Sequence, residues 1–269
     1  MSQTRVCRIA HQVTDMDHTV AAFEKVLGFR YEFVDVGDFP LRVAIGEHGF
    51  EPLQLTGDFN FDPIEPPFLE VALAVADAEA VKTKLEAAGY KVQAPNYLPA
   101  TDTWEYLFGP EFHGIPVMIA NEGDQEASLS PGFKTLEDAA PAKLGCCTLV
   151  VDNVDKVAAD MNTFFDMDFV DTDTGGFAAK AKAGRHRVRL VENGNPALTG
   201  EFRACLASLD VMVDDVESAR KSLEDAGCRV LHERTLSSGN KAYYFGAQFE
   251  GLPLGIYSAS DDAEILGGA

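Results

Sequence analysis

A segment that occurs twice limits the folds open to this chain more than any other feature. Residues 108–119 read FGPEFHGIPVMI, and residues 245–256 read FGAQFEGLPLGI. The segments before them also match, at an offset of 138, with LEVALAVADAEAVKTKLEAAGYKV at residues 69–92 and ASLDVMVDDVESARKSLEDAGCRV at residues 207–230. The chain of 269 residues is therefore two related halves.

Each half is itself double. A short apolar strand leads into an acidic turn at Asp15 and Asp17, and residues 20–27 then carry apolar side chains at helical spacing. The second module repeats this helix over residues 81–88 and ends it at Gly89, which suits a helix C-cap. Three further strands follow each helix, so the pattern predicts four β-α-β-β-β modules.

The modules group into two domains of ordinary size. We expect the first domain at residues 1–124, a polar, proline-containing linker at 125–142, the second domain at 143–260 and a tail at 261–269.

The modules resemble those of the vicinal oxygen chelate superfamily, which includes glyoxalases, bleomycin-resistance proteins, methylmalonyl-CoA epimerases and extradiol dioxygenases. The segments that carry the resemblance are VTDMDHTVAAFEKVLGF, VADAEAVKTKLEAAGY and VDDVESARKSLEDAGC. The resemblance implies an α+β fold in which each pair of modules curls into a half-barrel. We name the concave faces the first cup (domain 1–124) and the second cup (domain 143–260). Because members differ widely in chemistry, the resemblance specifies no single reaction.

Composition excludes several classes of partner. The net charge of −21 argues against nucleic acid and anionic membrane surfaces as partners. No apolar run is long enough to span a membrane and no signal-peptide core follows the first residues, so a cytoplasmic location is expected. Five cysteines without a CxxC pair indicate buried, reduced thiols. The fold requires no oligomer, so a monomer or a homodimer is expected.

Strand alternation predicts which side chains enter the cups. In the last strands, Gln54, Met118, Arg189 and Gly255 are predicted to point inward, and Leu53 is predicted to pack outward. The predicted inward positions are Arg8, Gln12, Gln54, Glu70 and Met118 in the first cup, and Cys146, Thr148, Arg189, Ser208, Asp210 and Gly255 in the second.

The resemblance also implies where a metal ion would be held. The matching positions are Arg8, Gln54, Glu70 and Met118 in the first cup, and Cys146, Arg189, Ser208 and Gly255 in the second. Arginine is a fixed cation, and methionine and glycine offer no ligand to a hard metal, so we expect no metal cofactor. The alternative is a divalent ion such as Zn, Fe or Mn on His11, Gln54 and Glu70, although His11 has the parity of a core position.

Two pairs of charged residues are candidates for chemistry. Arg8 with Glu70, and Arg189 with Asp210, could each supply an anchor for a ligand oxygen and a general base. Either pair could equally be a structural ion pair. Tyr257 is a candidate wall of the second cup.

Trp104 and Tyr106 share one face of their strand. That face is either an aromatic wall of the first cup or core beneath a helix.

Three functions follow for a chain that binds a small oxygenated, aromatic or apolar compound. The first is a metal-independent lyase or isomerase that uses arginine and a carboxylate. The second is a non-catalytic protein that sequesters its ligand, as bleomycin-resistance proteins do. The third is a metal-dependent lyase or dioxygenase with ligands off the usual pattern. Elemental analysis separates the third from the others, and turnover separates the first from the second.

Overall fold

A computed structural model describes residues 4–35, 38, 40–46, 48–57, 69–127, 142–172, 180–195 and 205–268. These residues form two compact units, the first made mostly of residues before 127 and the second mostly of residues after 142. Most of the predicted linker therefore lies outside the described residues. None of the helices formed by the described residues is long and apolar enough to cross a membrane.

The first unit is built on an eight-stranded sheet with the order β2-β3-β4-β1-β5-β8-β7-β6. Its strands are β1 (Arg5–Gln12), β2 (Glu32–Val34), β3 (Leu41–Ile45), β4 (Phe50–Leu55), β5 (Leu69–Val75), β6 (Ala94–Leu98), β7 (Thr103–Leu107) and β8 (Val117–Asn121). Its helices are α1 (Met16–Leu27), α2 (Ala78–Ala87) and the short α3 (Asp124–Ala127).

The second unit repeats this arrangement, with the order β10-β11-β12-β9-β13-β16-β15-β14. Its strands are β9 (Ala142–Val151), β10 (Val170–Asp171), β11 (Ala181–Ala183), β12 (Val188–Glu192), β13 (Leu206–Val213), β14 (His232–Thr235), β15 (Lys241–Phe249) and β16 (Leu252–Ser258). Its helices are α4 (Val154–Phe165), α5 (Val216–Asp225) and α6 (Asp262–Ile265). The predicted α+β fold of four modules, paired into two half-barrels, is confirmed.

The helix starts follow from the acidic turns. Asp77 accepts a hydrogen bond from the amide of Ala80 at the start of α2, and Asp215 accepts one from Ser218 at the start of α5. A side chain that satisfies an otherwise unpaired amide in this way stabilises the helix start. Gly89, just after α2, has a φ of 97°, which is the left-handed conformation expected for a glycine that ends a helix.

A buried histidine fixes the turn before the last strand of the first module in each unit. The Nδ1 of His48 accepts from the amide of Phe50 at 3.1 Å, and its Nε2 donates to the carbonyl of Arg30 at 3.1 Å. His186 makes the same pair of contacts in the second unit. Burial lowers the pKa of His48 to about 3 and that of His186 to about 4, so both rings are neutral at pH 7. The duplication thus preserved this turn in both units.

Candidate functional site

The first cup has one arginine surrounded by three glutamates. Arg8 Nη1 lies 2.8 Å from Glu105 Oε1, Nη2 lies 3.0 Å from Glu70 Oε1, and Nε lies 3.2 Å from Glu51 Oε2. All four residues are at least nine-tenths buried. Asn96 donates a further hydrogen bond to Glu105 at 3.1 Å. Every nitrogen of the guanidinium therefore already contacts a carboxylate.

Burial sets the protonation of this cluster. It raises the pKa of Glu51 to about 8, because loss of hydration outweighs the opposing attraction to Arg8. The same cause raises the pKa of Glu70. A neutral Glu51 reduces the excess of negative charge around a single guanidinium. The cluster is thus a closely paired charge network with one carboxyl that holds its proton near neutral pH.

Glu51 corrects the predicted face of β4. Glu51 lies beside Ala10 in the parallel ladder of β1 and β4, so both side chains point into the cup. Leu53 has the same parity and packs in the apolar cluster of the cup with Ala10 and Met118. The prediction that Gln54 points inward and Leu53 outward is therefore wrong.

Gln54 lies with the helix side of the sheet. Its amide oxygen accepts from Arg42 at 3.1 Å, its amide nitrogen donates to the carbonyl of Thr14 at 2.9 Å, and Arg42 pairs with Asp17 of α1. The error came from the alignment, because the repeat offset of 138 places Arg189 on Glu51. Glu51 and Gln54 are three residues apart, and an odd separation puts two strand residues on opposite faces.

The aromatic residues of β7 face the helix. Tyr106 donates a hydrogen bond to Glu79 of α2, and the ammonium of Lys82 lies 4.9 Å from the centre of its ring. Trp104 has the same parity and is 46% exposed beside Tyr97. Glu105, between the two aromatic residues, points into the cup. The shared face of Trp104 and Tyr106 is as predicted, but it forms no aromatic wall of the first cup.

The remaining first-cup candidates are separated from one another. Met118 points inward as predicted, and Gln12 is half-buried at the end of β1, opposite Leu53. His11 is fully buried and stacks on Phe50, with ring centres 5.0 Å apart. Phe50 in turn contacts Phe23 of α1, so His11 lies on the helix side, away from Glu70.

The alternative metal set of His11, Gln54 and Glu70 is not brought together. Among the residues that the structure describes, no group of three or more His, Cys, Asp or Glu side chains is arranged to hold a metal ion.

The second cup has donors that the described protein does not satisfy. Arg189 Nη1 lies 3.7 Å from Asp210 Oδ2, and Nη2 donates to the carbonyl of Ile265 at 2.9 Å. Within the described part of the chain, Arg189 Nε and the hydroxyl of Thr148 are buried and have no hydrogen-bond partner. Arg189 and Thr148 are neighbours in the ladder of β12 and β9. This part of the cup offers two adjacent donors beside a carboxyl group.

The carboxyl group of Asp210 takes the space beside Gly255. The two residues are opposite in the parallel ladder of β13 and β16, and a Cβ at position 255 would overlap Asp210 Oδ1. Ser208 donates a hydrogen bond to the same oxygen. Burial raises the pKa of Asp210, although Arg189 and Ser208 oppose the rise. The carboxyl group of Asp210 thus occupies the space that a side chain at position 255 would fill.

Cys146 and Tyr257 are the other candidates in this cup. Both are buried, in an apolar cluster with Leu236 and Ile265. Burial raises the pKa of Cys146 to about 12, so its thiol stays protonated at neutral pH. The hydroxyl of Tyr257 donates to Asp262 Oδ1 at 2.6 Å. Sequence reasoning left residues 261–269 as a tail and missed α6, although the apolar pair at Ile265 and Leu266 was a signal for burial.

Neither set of facing side chains suits a divalent cation. In the first cup, the carboxylates are already paired with a fixed cation at Arg8. In the second, the thiol of Cys146 is protonated, Arg189 lies beside the carboxyl group of Asp210, and Asp262 is paired with Arg187. A metal ion in either cup would experience repulsion from a guanidinium that cannot lose its proton.

Solved structures resemble the chain over nearly its whole length. A mutant of 4-hydroxymandelate synthase from Streptomyces coelicolor is 14% identical with a TM-score of 0.64, covering 99% of this chain and 98% of its own. The Mn(II)-bound glyoxalase from Novosphingobium aromaticivorans is 17% identical with a TM-score of 0.62, covering 95% of this chain and 83% of its own. The 2,2′,3-trihydroxybiphenyl 1,2-dioxygenase of Sphingomonas wittichii is 16% identical with a TM-score of 0.61, covering 95% and 90%.

No protein-family model matches the sequence, and a search of curated proteins finds no match. At these identities a structural likeness shows the fold. The chain therefore has the vicinal oxygen chelate fold, as its module sequences predicted.

Proposed function

We propose that the second cup binds a small oxygenated organic compound and that the chain acts on it as a metal-independent lyase or isomerase. Arg189 would anchor a ligand oxygen, and Asp210 would transfer a proton. The observation that carries the proposal is the pair of buried donors, Arg189 Nε and the Thr148 hydroxyl, which have no partner within the described residues.

A ligand oxygen would relieve the cost of these unpaired donors. A buried donor without a partner costs about 1–3 kcal/mol, and more when it is charged. A carbonyl or enolate oxygen between Arg189 and Thr148 would accept both hydrogen bonds. A guanidinium so placed also stabilises negative charge that develops on that oxygen during reaction.

Asp210 is suited to proton transfer beside this oxygen. Burial raises its pKa from that of an ordinary aspartate and so brings it closer to neutral pH. When ionised, it could take a proton from the carbon next to the carbonyl group, while Arg189 stabilises the enolate. Return of the proton to another atom would complete an isomerisation, and loss of a leaving group would complete an elimination.

The first cup has a structural role in this proposal. Arg8 and Glu70 were candidates for an anchor and a base, but each guanidinium nitrogen of Arg8 already contacts a carboxylate. A ligand would have to break buried ion pairs before it could bind there, which is costly.

The similar structures support the ligand class and leave the chemistry to be tested. Their names refer to hydroxymandelate synthesis, to glyoxalase activity and to the oxygenation of a trihydroxybiphenyl, all of which concern oxygen-bearing organic molecules. The glyoxalase among them is bound to Mn(II). Metal independence is supported by the guanidinium of Arg189, whose Nη1 lies 3.7 Å from the carboxyl group of Asp210.

The test is a ligand screen with matched variants. Aromatic and aliphatic keto and hydroxy compounds are screened for a rise in thermal midpoint, with the wild type, Arg189→Met, Thr148→Val and the control Arg220→Met, which changes a half-buried arginine on α5. We expect compounds that bind the wild type and the control with similar affinity. The same compounds should bind Arg189→Met at least tenfold more weakly. Hits that bind Arg189→Met and Thr148→Val as tightly as the wild type would refute the site.

Assays of turnover and of metal content test whether the protein is an enzyme and whether it needs a metal. Asp210→Asn should keep binding and lose conversion of the hit compounds, as followed by mass spectrometry. Saturable binding by the wild type without any product would favour a sequestering protein. A stoichiometric divalent metal in the purified protein, with activity lost on chelation, would contradict metal independence.

A further inference from the structure

We propose that Arg187 and Tyr257 form a carboxylate-binding subsite of the second cup, and that the chain's own Asp262 occupies it. An external carboxylate with an apolar body would compete with Asp262 for this subsite. The inference rests on the proposed function for the location of the ligand, and it adds the ligand's chemical class.

The contacts of Asp262 have the geometry of a carboxylate bound by a receptor. Arg187 Nη1 donates to Asp262 Oδ1 at 3.0 Å, and Nη2 donates to Oδ2 at 3.1 Å. The hydroxyl of Tyr257 donates to Oδ1 at 2.6 Å. A guanidinium that contacts both oxygens of a carboxylate is the strongest and most directional arrangement for recognising one.

The backbone at Arg187 is strained in a way that the first unit avoids. Arg187 has a φ of 67°, in the left-handed region that disfavours side chains with a Cβ. The repeat offset of 138 places Arg187 on Gly49, whose φ is 78°. The first unit thus uses glycine in this turn, whereas the second keeps an arginine there. Strain of this kind persists where the side chain has a role that offsets it.

The subsite is held in place by contacts that do not involve Asp262. Arg187 Nη1 also donates to the carbonyl of Gly145 at 3.1 Å. A Cβ at Gly145 would collide with the ring and hydroxyl of Tyr257, so glycine at this position lets Tyr257 approach. Tyr257 is itself fully buried. The donors are therefore positioned by the sheet and could donate to another carboxylate in place of Asp262.

The residues after Asp262 indicate the rest of the ligand. Ile265 and Leu266 are buried in the same cup and pack with Cys146, Leu236 and Tyr257. The tail thus presents a carboxylate followed by apolar side chains, which an apolar or aromatic carboxylic acid would imitate. The carbonyl of Ile265 also accepts from Arg189 Nη2, so displacement of α6 would free a donor of the proposed site.

The first experiment refills the subsite after Asp262 is shortened. In Asp262→Ala, sodium acetate should raise the thermal midpoint by about 2 °C or more at concentrations well above its Kd, relative to sodium chloride of equal ionic strength. Acetamide should have no effect, and acetate should not shift the wild type. The matched control is Asp17→Ala, which removes a carboxylate from the exposed guanidinium of Arg42 and should show no rescue.

A second variant tests the donors. Arg187→Gly restores the residue that the first unit uses at this backbone position, so the turn should fold without strain. The double variant Arg187→Gly/Asp262→Ala should lose the acetate response. Absence of rescue in Asp262→Ala, or rescue that persists in the double variant, would overturn the subsite.

Asp262→Asn provides the measurement if the alanine variant does not fold. It keeps the size of the side chain and removes its charge. Calorimetry should show phenylacetate binding at least tenfold more tightly to this variant than to the wild type, with phenylacetamide unchanged. Equal affinities of the two proteins for phenylacetate, or an equal gain for both compounds, would refute competition with Asp262.

Arg189→Met separates this inference from the proposed function. Two results together would support the subsite and refute the proposed function. Acetate would still raise the thermal midpoint of Arg189→Met/Asp262→Ala, and the screened compounds would bind Arg189→Met as tightly as the wild type. Loss of acetate rescue from Asp262→Ala itself, together with hits that still depend on Arg189, would refute only the subsite.

Discussion

The two cups have the same strands in the same order but differ in how their polar groups are satisfied. In the first cup, Arg8 is enclosed by Glu51, Glu70 and Glu105, and each guanidinium nitrogen contacts a carboxylate. In the second, Arg189 retains a buried N–H without a partner among the described residues, beside a similarly unpaired Thr148 hydroxyl. A duplicated fold can thus keep one copy electrostatically closed while the other retains buried donors that the described residues leave unpaired.

The repeat offset of 138 shows which residues differ at equivalent positions of the two cups. Positions 8, 51, 70 and 72 hold arginine, glutamate, glutamate and alanine in the first cup. Their equivalents at 146, 189, 208 and 210 hold cysteine, arginine, serine and aspartate. The cation of the second cup therefore comes from the counterpart of β4 rather than of β1, and its carboxyl group comes from the counterpart of β5, two residues beyond the position of Glu70. Even the small and large residues exchange places, since Ala72 faces Met118 where Asp210 faces Gly255.

The largest expected effect comes from opening the closed cup. Arg8→Met leaves buried carboxylates without their cation and should lower the free energy of unfolding of the first domain by about 3–5 kcal/mol. The only tryptophan of the chain, Trp104, is in this domain, so its fluorescence during urea denaturation reports the change. Arg42→Met removes an exposed ion pair and should cost about 1 kcal/mol or less. A loss below 1 kcal/mol in Arg8→Met would contradict the description of a closed network.

The second prediction uses the proton of Glu51. The folded-state pKa of about 8 exceeds the ordinary value of 4.5, so the folded state holds this proton where the unfolded state has released it. Stability is therefore lost as the pH rises between these values, by roughly 2–3 kcal/mol from pH 5.5 to 7.5. Glu51→Gln should remove this slope from the tryptophan-detected transition. A slope that is unchanged in the variant would show that Glu51 is ionised at neutral pH.

The third prediction concerns the exchanged residues of the ladders. Gly255→Ala forces a Cβ against Asp210 and should cost about 1–3 kcal/mol in the second domain. In an Asp210→Ala background, where the opposing side chain is shortened, Gly255→Ala should cost little. The transition is followed by circular dichroism and separated from the tryptophan signal of the first domain. An equal cost of Gly255→Ala in the wild type and in Asp210→Ala would mean that the carboxyl group of Asp210 does not occupy this space.

The smallest effect should be shared by both domains. The pKa values of His48 and His186, about 3 and about 4, lie below the ordinary value of 6.5. As the pH falls below 6.5, the unfolded chain gains protons that the folded rings cannot bind, so stability falls, by about 1 kcal/mol per domain down to pH 5.5. His48→Gln should reduce this acid sensitivity in the first domain only. Equal acid sensitivity of the variant and the wild type in the tryptophan signal would argue against a neutral buried ring.

The local pattern predicted some site residues correctly and others wrongly. The alternation along β1, β5, β9 and β13 placed Arg8, Glu70, Cys146 and Asp210 inward, because a strand has a period of two. It failed for Gln54, where the starting parity came from a misplaced alignment. It left Trp104 and Tyr106 undecided, because only contact with Glu79 of α2 shows which face lies under the helix.

The amino-acid sequence alone determined the duplication, the four modules and the acidic helix starts, because these features repeat at a fixed offset and depend on contacts between residues close in the chain. The fold was indicated by the resemblance of the modules to those of a known superfamily. Tertiary structure alone decided the charge pairing of each cup and the burial of α6. Those features depend on distances between side chains from separate strands and on the water that folding removes, which no local spacing encodes.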